Sequence, residues 1–402
     1  MLGMADAPWL TIIGIGEDGA DGLSLAARQA LAQAELVTGA ARHLALLPAL
    51  ACETMIWPVP FADGVAMLMA QRGRRVVMLA SGDPFWFGAG SVVTAQLEPG
   101  EWRAMPAPSS FSLAAARLGW ALERTVCLGL HAAPMTRLRP HLVAGGRVLA
   151  LVRDGAAVAE LAAYLTGTGF GPSTLHVLEA LGGSRERVRT VAADTLDFGD
   201  IAHPVAVAIA CAGGGDALPC VPGRADEWFD HDGQISKAPV RALALAALAP
   251  RPGEMLWDIG AGSGSVGIEW LLAHPANRAT AFEGDATRAA RIGRNAMALG
   301  VDRLAVVIGR APDALPRDGA PDAVFIGGGL SDAFLEALFA RLLPGTRVVA
   351  HAVSLESEAL LARVHGIRGG TLLRIELARA APLGSRRGWR ASFPVVQWSV
   401  TL

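Results

Sequence analysis

The chain has 402 residues, 52% of them hydrophobic and 18% charged, enough for two or three domains and too apolar for a disordered chain. A formal net charge of −2 excludes the broad positive face on which nucleic-acid binders depend. Four widely spaced cysteines with no C-x-x-C pair point to spectator thiols in a reducing cytosol, not to a metal site or a disulfide framework. Lys237 is the only lysine, so nearly all positive charge is arginine, which favours fork-like contacts to carboxylates. The first nine residues carry no basic cluster ahead of an apolar run, and the apolar stretch 242–249 is far short of a membrane span. A cytoplasmic protein with neither membrane nor nucleic-acid partners is expected.

In chain order, Trp9–Gly16 is an apolar run closing on glycines, the pattern of a buried strand entering a loop. Helical patterning follows over 24–34, then a short strand from Leu36 and a third buried strand over 76–80. Further strands are expected at 126–130, 147–152, 174–178 and 205–210, with helices at 112–118 and 156–165. Such alternation predicts an α/β fold with largely parallel sheets. The pattern breaks after Ala210 into Gly213-Gly214-Gly215, Pro219, Pro222 and a polar run, which reads as a linker over 221–233. The chain thus divides into domains at 1–220 and 234–402. The second domain repeats the alternation, with strands at 255–259, 278–283, 304–308, 323–326 and 347–352 and helices between them. Segments 370–379 and 393–400 are expected to close its sheet as an antiparallel pair.

The strand at 255–259 runs through Asp258 into Gly260-Ala261-Gly262-Ser263-Gly264 and then a helix, a turn that lets backbone approach a ligand closely. Gly262 to Gly267 also satisfies G-x-G-x-x-G, so a dinucleotide remains an alternative. Asp258 favours S-adenosylmethionine, because a carboxylate beside the turn suits the methionine ammonium and offers nothing to a pyrophosphate. Glu283, ending the next strand, suits ribose hydroxyls, and Ala311 could border an adenine. Gly327, Gly328 and Gly329 at the end of the fourth strand would leave room for a substrate. Arg374, Arg379, Arg386, Arg387 and Arg390 form a candidate sink for a polyanionic substrate.

In the first half, Ser81-Gly82-Asp83-Pro84 after one strand and Gly14-Ile-Gly16-Glu-Asp-Gly19 after another are unspecific singly. Combined with Pro108-Ser109-Ser110-Phe-Ser112 opening a helix and Cys127–His131 after a strand, they resemble the tetrapyrrole methylase family from about Trp9 to Ala210. The resemblance implies a two-lobed α/β domain holding S-adenosylmethionine in a cleft, with Gly82, Asp83, Pro84, Ser109 and Ser110 beside it. From Gln234 onward, Ile235-Ser236-Lys237, Val240-Arg241, Asp258–Gly264, Glu283, Gly309–Pro312 and Ile326–Gly329 resemble the Rossmann-like methyltransferase and decarboxylase component of corrin biosynthesis. By that resemblance Ser236, Gly260 to Gly264, Glu283 and Ala311 contact the cofactor.

Together the two resemblances imply one cofactor site per domain and a small tetrapyrrole substrate. They also imply methylation at carbons 5 and 15, decarboxylation of the carbon 12 acetate, and a homo-oligomer. The chemistry needs alignment and exclusion of water more than acid–base groups, which fits the lack of a triad or metal-spaced cluster. His351 and Glu356 are the candidates for proton handling in the second domain. Methylation of RNA or protein through the second domain, a nicotinamide oxidoreductase and a tetrapyrrole carrier are the rival readings.

Overall fold

The computed structural model describes residues 8–402, which divide into two units: 8–135 with 141–216, and Thr136–Pro140 with Ala217–Leu402. In the first unit, β1 (Leu10–Ile15), β2 (Leu36–Gly39), β3 (Glu53–Ile56), β4 (Val76–Ser81) and β5 (Trp102–Met105) form an all-parallel sheet ordered β3-β2-β4-β1-β5. Helices α1 (Leu25–Ala32), α2 (Ala41–Ala45), α3 (Phe61–Met69) and α4 (Ala89–Thr94) lie in the connections. The central strands β1 and β4 are apolar apart from Thr11 and the terminal Ser81, because both sheet faces are covered. Leu10, Ile12, Met78 and Trp57 fill one side, while Ile13, Val37, Leu79 and Leu31 fill the other.

After α5 (Ser110–Leu118) the same unit builds a second sheet from β6 (Val126–Gly129), β7 (Arg147–Leu151), β8 (Thr174–Glu179), β9 (Arg187–Ala192) and β10 (Val205–Ala210), with α6 (Gly155–Gly167) after β7. Its order is β6-β7-β10-β8-β9, and only the β6–β7 pair is parallel. This differs from the largely parallel sheets expected. The loop 180–186 between β8 and β9 is too short for the crossover of a dozen or more residues that a parallel pair needs. Phe111 of α5 packs on Leu149, Leu178 and Ala208 of this sheet.

The second unit follows the expected alternation: α7 (Ala238–Leu248), β11 (Met255–Ile259), α8 (Ser265–Ala273), β12 (Arg278–Glu283), α9 (Ala286–Ala298), β13 (Ala305–Ile308), β14 (Ala323–Ile326), α10 (Asp332–Phe339), β15 (Arg347–Ala352) and α11 (Leu355–Arg368). Four more strands follow: β16 (Thr371–Ile375), β17 (Ala378–Leu383), β18 (Arg386–Ala391) and β19 (Val395–Thr401). The seven-stranded sheet runs β13-β12-β11-β14-β15-β19-β16, parallel through β15 and antiparallel beyond it. The chain leaves β11 toward β12 and β13, then returns to its other side with β14. That reversal opens a crevice at the carboxyl ends of β11 and β14. Strands β17 and β18 form a separate two-stranded hairpin, which was not anticipated.

The polar run over 221–233, expected as a linker, packs onto the second unit. Glu269 accepts from the backbone N–H of Gly223 at 2.7 Å and Arg224 at 3.0 Å, and Asn295 accepts from Asp230 N–H at 2.8 Å. Phe229 is buried in the core under α7 and α8. Of the charged residues in this run Arg224 is buried, whereas Glu227, Asp230 and Asp232 are exposed.

Candidate functional site

In the second unit, the carboxyl ends of β11, β12 and β14 frame a cavity of about 1140 Å³. That is room for a nucleoside-sized donor and a larger partner together. Gly260, Ala261, Gly262, Ser263, Glu283, Ala311, Ser236 and all three glycines of Gly327–Gly329 line it, so most of the expected residues converge. Gly260 sits at φ +68°, and a Cβ there would lie 2.9 Å from the backbone nitrogen of Gly328. The donor turn and the loop after β14 are therefore in direct backbone contact, and only glycine allows it.

The buried Glu283 accepts from Gly262 N–H at 2.8 Å and from Asp285 N–H at 3.0 Å. Asp285 in turn caps α9, accepting from the N–H groups of Thr287 and Arg288. A bare backbone cradle with a fixed carboxylate one strand away fits an adenosyl ligand with a free ribose diol.

Asp258 does not line the cavity. It is fully buried behind the turn, and its Oδ2 accepts from Gly267 N–H of α8 at 2.9 Å. Asp258 is therefore not placed to meet the methionine ammonium directly, as its charge had suggested; it braces the strand-to-helix turn from behind. Burial pushes its carboxyl up to about 7, with Glu283 nearby adding to the rise. The folded state therefore holds this proton more tightly than the unfolded chain, whose carboxyl titrates near 3.8. Stability from this group is greatest below that value and declines as pH rises toward 7, by an amount on the order of a few kcal/mol. Asp258→Asn keeps an acceptor for Gly267 and should flatten that decline. Denaturant titrations of both proteins from pH 4 to 8 check it, and parallel slopes would refute it.

The proton-handling candidates separate. His351 is buried on β15 and lines the cavity, whereas Glu356 is exposed in the first turn of α11 and away from it. Arg379, Arg386, Arg387 and Arg390 all lie exposed on the β17–β18 hairpin and do not line the cavity, although the hairpin's flanks, Leu377, Ser392 and Phe393, do. Lys237, Arg288 and Arg310 are the cations that line it, and sequence reasoning passed over them as site residues. The signal was present for Lys237 and Arg310, which stand inside the motifs around Ser236 and Ala311.

In the first unit, the carboxyl ends of β2 and β4 face a smaller, largely apolar cavity of about 420 Å³. Asp83, Ser109 and Ser110 line it; Gly82 and Pro84 instead shape the loop. Gly82 carbonyl accepts from Ala107 N–H at 3.1 Å and Pro84 carbonyl from Gly90 N–H at 2.9 Å. Ser109 caps α5, accepting from Ser112 N–H at 3.1 Å. A Cβ on Gly14 would fall 1.9 Å from the Gly82 carbonyl oxygen, so β1 and the Gly82 loop meet backbone to backbone.

Sequence reasoning missed His43, Trp57, Trp86 and Phe87 on the cavity wall. His43 Nε2 lies 2.8 Å from Ser81 Oγ and 3.0 Å from an Arg42 guanidinium nitrogen. Because the guanidinium can only donate, Nε2 accepts and the ring is neutral. Burial, then the Arg42 charge, bring its pKa down to about 4. Arg42 also pairs with Glu17, which a second cation, Arg185, reaches at 3.1 Å. Among the described residues no group of side chains has metal-ligand geometry, and no helix is long and apolar enough to cross a membrane.

Family comparisons coincide with these two units. A model of tetrapyrrole (corrin/porphyrin) methylases matches residues 9–197, and a precorrin methyltransferase domain model matches 227–402. The chain is thus a two-domain methyltransferase of the tetrapyrrole type, dependent on S-adenosylmethionine. A Sinorhizobium protein named precorrin-6Y C(5,15)-methyltransferase [decarboxylating] is 50% identical over 98% of this chain and 97% of its own length. A protein of the same name from Mycobacterium tuberculosis (strain ATCC 25618 / H37Rv) is 40% identical over 98% of this chain and 99% of its own. The solved C-terminal domain of precorrin-6Y C5,15-methyltransferase from Rhodobacter capsulatus is 54% identical, covering 46% of this chain and 100% of that one, with a TM-score of 0.45. The chain belongs to the precorrin-6Y C(5,15)-methyltransferase (decarboxylating) family.

Proposed function

We propose that this chain methylates precorrin-6Y at carbons 5 and 15 and decarboxylates the acetate on carbon 12, giving precorrin-8X in aerobic cobalamin biosynthesis. The observation that carries the reading is the presence of two separate cavities, each at the carboxyl edge of a parallel sheet and each lined by its own motif set. Each domain holds one S-adenosylmethionine, which supplies an activated methyl. The first domain serves carbon 5, and the second serves carbon 15 and the decarboxylation. Boundaries at 1–220, 221–233 and 234–402 follow this division of labour.

In the second domain the glycine turn and Glu283 hold the adenosine, while the loop Gly327–Gly329 leaves space for the macrocycle. Lys237, Arg288 and Arg310 neutralise its carboxylates, and the hairpin arginines extend that field outside the cavity. Phe325, Val353 and Phe393 give the cavity an apolar part, and alignment of the reacting groups accounts for up to roughly 7–11 kcal/mol of the barrier. Loss of carbon dioxide sends the bond's electron pair into the conjugated ring. The methylene carbon then needs a proton, and His351 stands where one can be exchanged. The enzyme works as a cytoplasmic homo-oligomer.

Calorimetric titration of the full chain with S-adenosylmethionine should give a stoichiometry of two. A stoichiometry of one, or preference for NADH, would count against the scheme. Mass spectrometry of the product should show two added methyls and the loss of carbon dioxide. A single methyl without decarboxylation leaves methylation of another tetrapyrrole as the better reading. Near-neutral charge speaks against an RNA substrate.

A further inference from the structure

His351 on β15 and Gln397 on β19 are direct cross-strand partners in an antiparallel pair. Their side chains therefore share one face of the sheet. Nε2 of His351 lies 3.0 Å from Oε1 of Gln397, and the two residues are 6% and 4% exposed. The Phe325 ring on β14 meets the imidazole edge-on at 4.9 Å, so the ring is held from a second strand. Nδ1 makes no hydrogen bond among the described residues, and His351 lines the cavity while Gln397 stands behind it.

We infer that Gln397 is a positioning residue. By accepting the Nε2 proton it holds His351 in the Nε2–H tautomer, so the lone pair open to the cavity is that of Nδ1. This rests on the reading that His351 handles protons in the second domain.

The chemistry gives that tautomer a use. Adding a methyl to a neutral ring carbon leaves the macrocycle one positive charge in excess until a proton departs, and Nδ1 can accept it. Decarboxylation breaks the bond to the carboxylate carbon, sends its electron pair into the ring and leaves a carbon that takes up one proton, which the imidazolium can return. In both protonation states Nε2–H stays on Gln397, so the ring need not turn between the two events. The groups facing His351 are Phe325 and Gln397. No charged side chain of β14, β19, α7 or α11 acts on its titration, which burial lowers and the Gln397 bond raises.

The test combines a spectroscopic and a kinetic readout on the full chain. In ¹⁵N-histidine-labelled protein, with His351→Gln used to assign the resonance, His351 should show protonated Nε2 and bare Nδ1. Gln397→Leu should mix the tautomers. It should also lower kcat for the second methylation and decarboxylation about tenfold or more, with KM little changed. Calorimetric binding of S-adenosylmethionine by the second domain serves as the control for its folding, and methylation by the first domain as the control for enzyme concentration. Gln397→Glu keeps the acceptor, so it should keep the tautomer and move the acid limb of the pH profile upward by about one unit or more.

A wild-type resonance protonated at Nδ1 overturns the inference, as does a Gln397→Leu variant whose loss is confined to KM. If His351→Gln halts decarboxylation while Gln397→Leu does not slow it, the positioning role alone fails. If His351→Gln turns over normally, the proton-handling reading fails with it. Should Gln397→Leu not fold, the tautomer and pH profile of Gln397→Glu decide the matter.

Discussion

Gly260→Ala should weaken cofactor binding in the second domain severely and leave the first domain's site intact. The methyl would stand 2.9 Å from Gly328 N and 3.2 Å from the Gly328 Cα and carbonyl oxygen, all backbone atoms that cannot rotate away. The residue also holds φ +68°, a left-handed conformation that costs an L-residue about 1–2 kcal/mol. Adding an overpacking cost of about 1–3 kcal/mol gives roughly 30-fold to well over 1,000-fold weaker binding. Calorimetry on the full chain should therefore fall from two sites to one, and the product should carry one methyl and retain its carboxylate. Two undiminished sites would mean that the turn does not cradle the ligand.

Arg241→Met should be the most damaging change away from the cavities. Arg241 is wholly buried, and its Nε donates to Glu269 Oε1 at 2.7 Å. Its guanidinium also donates to the carbonyls of Ser236 and Arg224, approaches Asp226 at 3.4 Å and lies over the Phe229 ring at 4.7 Å. Without it, the buried Glu269 would keep, among the described residues, only Arg224 as a counter-ion, at 3.6 Å. Breaking a buried pair on one side costs about 3–5 kcal/mol, or roughly 6–20 °C in Tm for a domain of this size. The double variant with Glu269→Gln should recover part of that loss, because the uncompensated charge goes too. Calorimetric melting of the wild type, the two single variants and the double variant checks both statements, and additive losses would refute the pairing argument. Because the Ser236 carbonyl is one of the partners, the single variant should also weaken the cofactor.

The second unit was legible in the sequence because its signals are long and agree with one another. The largely apolar strand at 255–259 leads into Gly260 and the strand at 278–283 ends on Glu283, and both residues reach the cavity. The closing pair, expected at 370–379 and 393–400, formed as β16 and β19. Elements without a strong period were lost. Strand β3 is four residues long and mostly exposed, and β5 is no longer, so neither shows the alternation or apolar run that marks a strand.

Charge was the weaker guide to the site. Arg386 and Arg387 are consecutive on a strand, so they must point to opposite faces. No count of arginines could say that the hairpin carrying them lies outside the cavity. His43 sits in the five-residue helix α2, where no pattern separates a wall residue from a surface one. Asp258 was singled out for its charge, yet its position on a buried strand makes proton affinity its more distinctive property.

Glu283 has a further meaning for how the cofactor arrives. Its two backbone partners, Gly262 and Asp285, already fix both oxygens, and each oxygen retains a second lone pair. A ribose diol can add to this carboxylate without displacing either bond, so little ordering entropy remains to be lost on association. Capture of the methyl donor by this domain should then proceed in a single kinetic phase, with a rate proportional to donor concentration and no slow rearrangement behind it.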